Sequence, residues 1–252
     1  MSTQHPDNVQ IPFFSEQTEL QGEDEVQEAY YVFSHLGCDE QMWDYEGKEV
    51  DNFVIKKLLT TYSSYFRRTK IGEQVFITPR ILNPAVEKSE AKILLETLGS
   101  IPRSYDAAVL FNPGSPPPIF EVILPMTISA DELNRIYRYY KHFVAGRNNQ
   151  TLPGMDMTIG EWLGEFRPAQ INVIPLFEAV DHMLNADKVM EAYLCDKSLE
   201  YHRVFLARSD PAMNSGLVST VLGNKIALQR LDRLSSRLGI TLYPIMGVGS
   251  VP

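Results

Sequence analysis

Six short runs of apolar and β-branched residues constrain the fold of this chain more than any other feature. They are "EQVFITPRI" (73–81), "AAVLFN" (107–112), "FEVILPMT" (120–127), "INVIPLFE" (171–178), "RVFLARSD" (203–210) and "ITLYPIMG" (240–247). Each is too short and too evenly apolar for a surface helix, and each reads as a strand buried on both faces. Segments of helical period separate most of them. Strands that alternate with helices pair in parallel, so the fold class is α/β. Periodicity alone leaves two architectures open: an open doubly wound sheet and a partial (β/α) barrel.

The first 70 residues look different. Residues 23–36 place Val26, Ala29, Tyr30, Phe33 and Leu36 at helical spacing before Gly37, and residues 49–66 read as a second helix. The expected organisation is therefore a helical N-terminal region over 1–70 and a β/α region of about six strands over 71–252. Asn83-Pro84 is expected to start a helix that runs through Leu98 and stops at Gly99. Ser129 and Glu132 have capping-box spacing, with Leu133, Ile136, Tyr137, Tyr140 and Phe143 on one face. "AGRNNQTLPGMDM" reads as a long loop.

The formal net charge of −9 argues against a nucleic acid or an anionic membrane surface as partner, but leaves small anions open, because a few arginines can make a local positive pocket. Cys38 and Cys195 form neither a disulfide framework nor a zinc pattern, which fits a reducing, cytoplasmic setting. No basic-then-apolar leader is visible, and the apolar runs are too short to span a membrane.

In parallel α/β folds, chemistry collects at the C-terminal strand ends. There stand Arg80, Glu178, Arg208 and Asp210, followed after the last run by "GVGS". Two carboxylates from neighbouring strand ends suit Mg²⁺ or Mn²⁺, which tolerates substrate and water in its other positions. An arginine beside them suits a phosphate or carboxylate. Plainer readings compete with each. Glu178 and Asp210 could cap the helices that follow, and Arg80 could join a surface ion pair. Cys38 and Cys195 read as small buried residues, and His35, His142, His182 and His202 as structural or solvated. "CDEQMWDYEGKEVDN" reads as a solvated acidic loop rather than a metal site.

Five segments, "STQHPDN", "YYVFSHLGCDEQMWDYEGKEVDN", "VIPLFEAVDHM", "FLARSDPAMNSG" and "YPIMGVGS", resemble archaeal-type phosphoenolpyruvate carboxylase, in that family's order and across 1–252. The bacterial and plant form is only distantly similar, yet its "TAHPT", "PLFET", "GYSDS" and "IDIRQ" motifs look like "TQHPD", "PLFEA", "ARSDP" and "ITPRI" here. The resemblance implies a catalytic histidine at His5, metal ligands at Glu178 and Asp210, and an active-site arginine at Arg80. Proline beside His5 would fix the backbone there. Two departures stand out: Met213 where the bacterial form has a lysine, and Val248 or a neighbour where its glycine-rich loop carries an arginine.

The implied fold is a (β/α)8 TIM-like barrel of the phosphoenolpyruvate/pyruvate type, incomplete in this chain, since six strands are two short of closure. The implied substrates are phosphoenolpyruvate and bicarbonate, the products oxaloacetate and phosphate, the cofactor Mg²⁺ or Mn²⁺, and the assembly a homo-oligomer, a tetramer by resemblance. The family is about twice this length, so the expectation is a chain catalytically incomplete by itself, with exposed apolar surface. Two other readings stay open: a non-catalytic N-terminal module for assembly, and a different barrel enzyme using phosphoenolpyruvate or pyruvate.

Overall fold

The structure, a computed structural model, describes residues 1–3, 13–15, 22–45 and 51–247. In chain order its strands are β1 (Ser2–Thr3), β2 (Glu40–Asp44), β3 (Phe76–Arg80), β4 (Glu121–Leu124), β5 (Asn172–Phe177), β6 (Tyr201–Leu206) and β7 (Thr241–Met246). Its α-helices are α1 (Glu23–Ser34), α2 (Val54–Thr61), α3 (Ser63–Phe66), α4 (Ile93–Phe111), α5 (Ala130–Tyr139), α6 (Ile159–Leu163), α7 (Val180–Met183), α8 (Ala186–Leu194), α9 (Ser209–Ser215) and α10 (Leu217–Leu238).

Strand order in the sheet follows the chain, from β1 through β7. A doubly wound sheet reverses its strand order at a switch point. This order never reverses, so the fold class is that of the (β/α) barrel, with seven strands among the described residues where eight close a barrel. No helix among the described residues is long and apolar enough to cross a membrane.

The chain divides into two compact units. The first comprises Met1–Leu82, Glu90–Val122 and Tyr140–Ile171. Within it β1, β2 and β3 pair in parallel, with Ser2 opposite Gln41, Met42 opposite Thr78 and Asp44 opposite Arg80. Helix α1 buries Val26, Ala29, Val32 and Phe33, and Glu23, Asp24 and Glu25 in its first turn suit the helix dipole. It stops where expected: Gly37 takes φ 66°, and the Cys38 N–H reaches back to the Val32 carbonyl at 3.2 Å. Trp43 of β2 and Leu58 of α2 are fully buried in this unit's core.

Three expectations fail in this unit. The run 107–112 is not a strand but the end of α4, which passes straight through Gly99 and contains Pro102. Leu94, Leu98, Ile101 and Ala108 are all buried at helical spacing, and that packing overrides both the glycine and the proline. The stretch read as a solvated acidic loop holds β2, in which Gln41, Met42, Trp43 and Asp44 are buried. The first 70 residues therefore contain strands as well as helices. Part of the expected loop after Phe143 is helical instead: a π-turn over Tyr140–Val144 leads into a 3-10 turn over Ala145–Asn149.

The second unit comprises Asn83–Ser89, Ile123–Tyr139 and Asn172–Pro252. Here β5, β6 and β7 pair in parallel, with Phe177 opposite Leu206 and Leu206 opposite Met246. Helix α5 packs on β5 and α8, and α10 packs on α7, α8, α9 and β7. Lys197 ties α5 to α8. Its buried ammonium donates to Asn134 Oδ1 at 2.8 Å, the Tyr193 carbonyl at 2.6 Å and Asp196 Oδ1 at 2.8 Å. Apolar surface is exposed, as expected, at Leu217, Val218, Leu222 and Ile226 of α10 and at Tyr243 of β7.

Candidate active site

Glu178 is the first residue past β5, and its neighbours hold it rather than a helix end. Its Oε2 accepts the Met126 N–H at 2.6 Å. Met126 lies in the turn leaving β4 with φ 49°, a left-handed conformation that costs a non-glycine residue about 1 kcal/mol or more. Three other bonds fix the turn: the Thr127 N–H to the Leu176 carbonyl at 3.1 Å, and Asn83 Nδ2 to the Pro125 carbonyl at 2.8 Å and the Met126 carbonyl at 3.5 Å. Asn83 was expected to start a helix. Instead it is buried, and its Oδ1 accepts the Ala85 N–H at 3.0 Å while its amide clamps the turn. The helix-cap reading of Glu178 does not hold, because the N-cap of α7 is Ala179 and carries no side-chain cap.

Asp210 and Arg208 leave the neighbouring strand at the same end. The Ala207 N–H donates to the Phe177 carbonyl at 3.0 Å, which places Ala207 beside Glu178 in register. Asn224 of α10 holds the Ala207 carbonyl at 3.2 Å. Arg208 is half-buried and is the N-cap residue of α9, without a side-chain cap bond. Asp210 is exposed in the first turn of α9, where a carboxylate is favourable, but it does not cap the helix. Met213 lies on the same helix, 82% exposed.

In the first unit, Arg80 ends β3. It meets Asp44, its register partner at the end of β2, through two charge-assisted bonds: Nε to Oδ1 at 3.0 Å and Nη2 to Oδ2 at 2.6 Å. Asp44 is 2% exposed, so this is a buried fork and not the surface pair that a strand-end arginine could have made. Sequence reasoning did not find Asp44, Asn83 or Met126. Their only signal was a polar or β-exit position next to a strand end. His5 and the residues after Gly247 lie outside the described residues, and β1 ends two residues before His5.

The donor set suits a hard cation. Among the described residues, no three His, Cys, Asp or Glu side chains converge on a common point. An ion at the end of the β5–β6 pair would have the two carboxylates Glu178 and Asp210, with water or substrate elsewhere. That pattern fits Mg²⁺ or Mn²⁺ and not a closed zinc site. His202 on β6 plays no part in such chemistry. It is buried, its Nδ1 lies 2.8 Å from the Arg203 carbonyl, and burial pulls its pKa down to about 4, which keeps it neutral.

The sequence matches one family over its whole length. A family model described as "Phosphoenolpyruvate carboxylase" covers residues 1–252. Two relatives named phosphoenolpyruvate carboxylase, from Methanospirillum hungatei and Methanothermobacter thermautotrophicus, are each 60% identical over 252 residues, covering 100% of this chain and 52% of each relative. The chain thus spans about half the length of these curated relatives. Among solved structures, an HpcH/HpaI aldolase from Desulfitobacterium hafniense overlays with a TM-score of 0.47 at 17% identity, covering 88% of this chain and 72% of the aldolase. From the match across all 252 residues, the chain belongs to the phosphoenolpyruvate carboxylase family.

Proposed function

We propose that this chain supplies part of the active site of a phosphoenolpyruvate carboxylase, which forms oxaloacetate and phosphate from phosphoenolpyruvate and bicarbonate. The observation that carries the reading is the 60% identity, across all 252 residues of this chain, with relatives of that name. Glu178 and Asp210 would hold Mg²⁺ or Mn²⁺. When bound, the ion supplies Lewis-acid stabilisation of developing oxygen charge.

The remaining roles belong to the chain's own residues. Arg80, oriented by Asp44, neutralises phosphate charge. Arg208, at the same strand end as Glu178, adds a second cation for an anionic substrate. Bicarbonate oxygen attacks phosphorus, and the enol C–O–P linkage breaks at phosphorus to leave the enolate and carboxyphosphate. His5 takes the proton from carboxyphosphate as it releases carbon dioxide, and the enolate carbon then attacks carbon dioxide. Water has to be kept out, or the enolate is protonated to pyruvate. In the same reading the protein is a cytoplasmic homo-oligomer.

The test is oxaloacetate production, coupled to malate dehydrogenase, by this chain combined with the half of its relatives' length that it does not span. NADH oxidation that requires phosphoenolpyruvate, bicarbonate and a divalent cation is the expected result. Turnover of phosphoenolpyruvate without any need for bicarbonate points to another barrel enzyme, and no turnover under any condition to a non-catalytic module.

A further inference from the structure

A groove of about 530 Å³ lies entirely within the first unit, between α2 and α4. None of the residues assigned to catalysis above lines it, and its size falls within the range of small-molecule sites. Its wall is apolar, with Phe53, Leu59, Ala107 and Leu110 among the lining residues, and Leu110 is 88% exposed. Three cations also line it: Lys56, Arg67 and Arg103.

Acids outnumber bases in this chain, 32 to 23. Lys57, next to Lys56, contacts both Glu23 and Asp51. Lys56, Arg67 and Arg103 make no ion pair among the described residues. The two guanidiniums are set on rings instead. Arg67 stands 5.3 Å from the Phe111 ring centroid, and Arg103 stands 4.1 Å from that of Phe53 and donates to the Asn52 carbonyl at 3.2 Å. Stacking of this kind fixes a guanidinium while leaving donors at its edge. Asp106, the one acid of the lining, pairs with none of them, and partial burial holds its carboxyl above its ordinary range.

We infer that this groove is a binding site for a small amphipathic carboxylate, its apolar body against Leu59, Ala107 and Leu110 and its carboxylate on Lys56, Arg67 and Arg103. Charge complementarity favours an anion, and planar guanidinium forks match a carboxylate. The apolar wall favours a ligand with a hydrocarbon or aromatic body over a bare inorganic anion. The site is independent of the proposed carboxylase chemistry.

The test is calorimetric titration of the protein with 4-phenylbutyrate and with its uncharged analogue 4-phenylbutan-1-ol. Saturable one-to-one binding of the acid is expected, with the alcohol about tenfold weaker or worse, the size of a lost charged contact. Arg67→Glu/Arg103→Glu should weaken the acid at least about tenfold, and Lys225→Glu, an exposed cation elsewhere, should leave it unchanged. Ala107→Trp keeps every charge but fills the groove, and should also abolish binding. Circular dichroism checks that each variant is folded. No saturable binding, equal binding of acid and alcohol, or undiminished binding by folded Arg67→Glu/Arg103→Glu and Ala107→Trp proteins would each overturn the assignment.

Discussion

Asp44 and Arg80 stand opposite each other at the ends of two paired parallel strands, and the buried carboxylate takes both an Nε and an Nη2 hydrogen of the guanidinium. Taking one away strips two charge-assisted bonds from the other, which is costlier than losing the pair together.

Asp44→Asn should therefore destabilise the protein by roughly 2 kcal/mol or more in urea unfolding. Adding Arg80→Met should recover part of that loss, because the guanidinium that lost its fork goes with it. A double variant less stable than Asp44→Asn alone would contradict the buried-fork reading. In the active enzyme, Asp44→Asn should raise KM for phosphoenolpyruvate more than it lowers kcat, since a less well-held Arg80 first weakens phosphate binding.

His202 makes stability depend on pH. Its folded pKa is depressed by burial from 6.5 to about 4, so the unfolded chain binds more protons between those values. The contribution is complete above pH 6.5 and is lost as pH falls toward 4, on the order of 3 kcal/mol in all. Urea unfolding at pH 7 and pH 5 should show it, and His202→Gln should flatten this part of the profile. An unchanged pH slope in a folded variant would assign the dependence elsewhere.

Glu178→Gln and Asp210→Asn should each raise the Mg²⁺ or Mn²⁺ concentration needed for half-maximal activity, or abolish activity. Mn²⁺ binding followed by electron paramagnetic resonance should weaken in parallel. Chelation of the complete active enzyme should remove activity, and added Mg²⁺ should restore it. Unaltered metal dependence in both variants would remove these carboxylates from the site.

Asn83→Ala should cost about 1–3 kcal/mol, because it strips the amide bonds to the Pro125 and Met126 carbonyls from the turn that carries Met126. Its second signature is a shift in metal affinity, since that turn holds Glu178. Loss of stability with wild-type metal affinity would show that the turn does not set the carboxylate.

His5→Asn should lose oxaloacetate formation yet keep some bicarbonate-stimulated phosphate release, because the histidine acts after phosphoryl transfer in the proposed order. Equal loss of both activities would count against that order.

The strand ends were legible because parallel strands announce themselves locally. "INVIPLFE" and "RVFLARSD" carry their own β-branched runs and their own terminal charges, so Glu178, Arg208 and Asp210 could be read without any partner. What holds Glu178 could not be read that way. The Met126 amide is 52 positions away in sequence, and nothing local marks it. β2 was missed for a related reason. "EQMWD" looks solvated until Glu40 and Asp44 are matched with Thr78 and Arg80 on β3. The apolar run at 107–112 was misassigned because four or five apolar residues fit either period, and only packing of the whole of α4 decides between them.

The sheet's strict chain order has a consequence for how the protein comes into being. Each of β2, β3, β6 and β7 pairs with the strand made just before it, so no strand need wait for a partner not yet synthesised. Each of these pairings closes a single crossover and never a loop that spans several strands. A nascent chain leaving the ribosome can add one strand and its helix at a time, and each addition offers the edge on which the next is laid down.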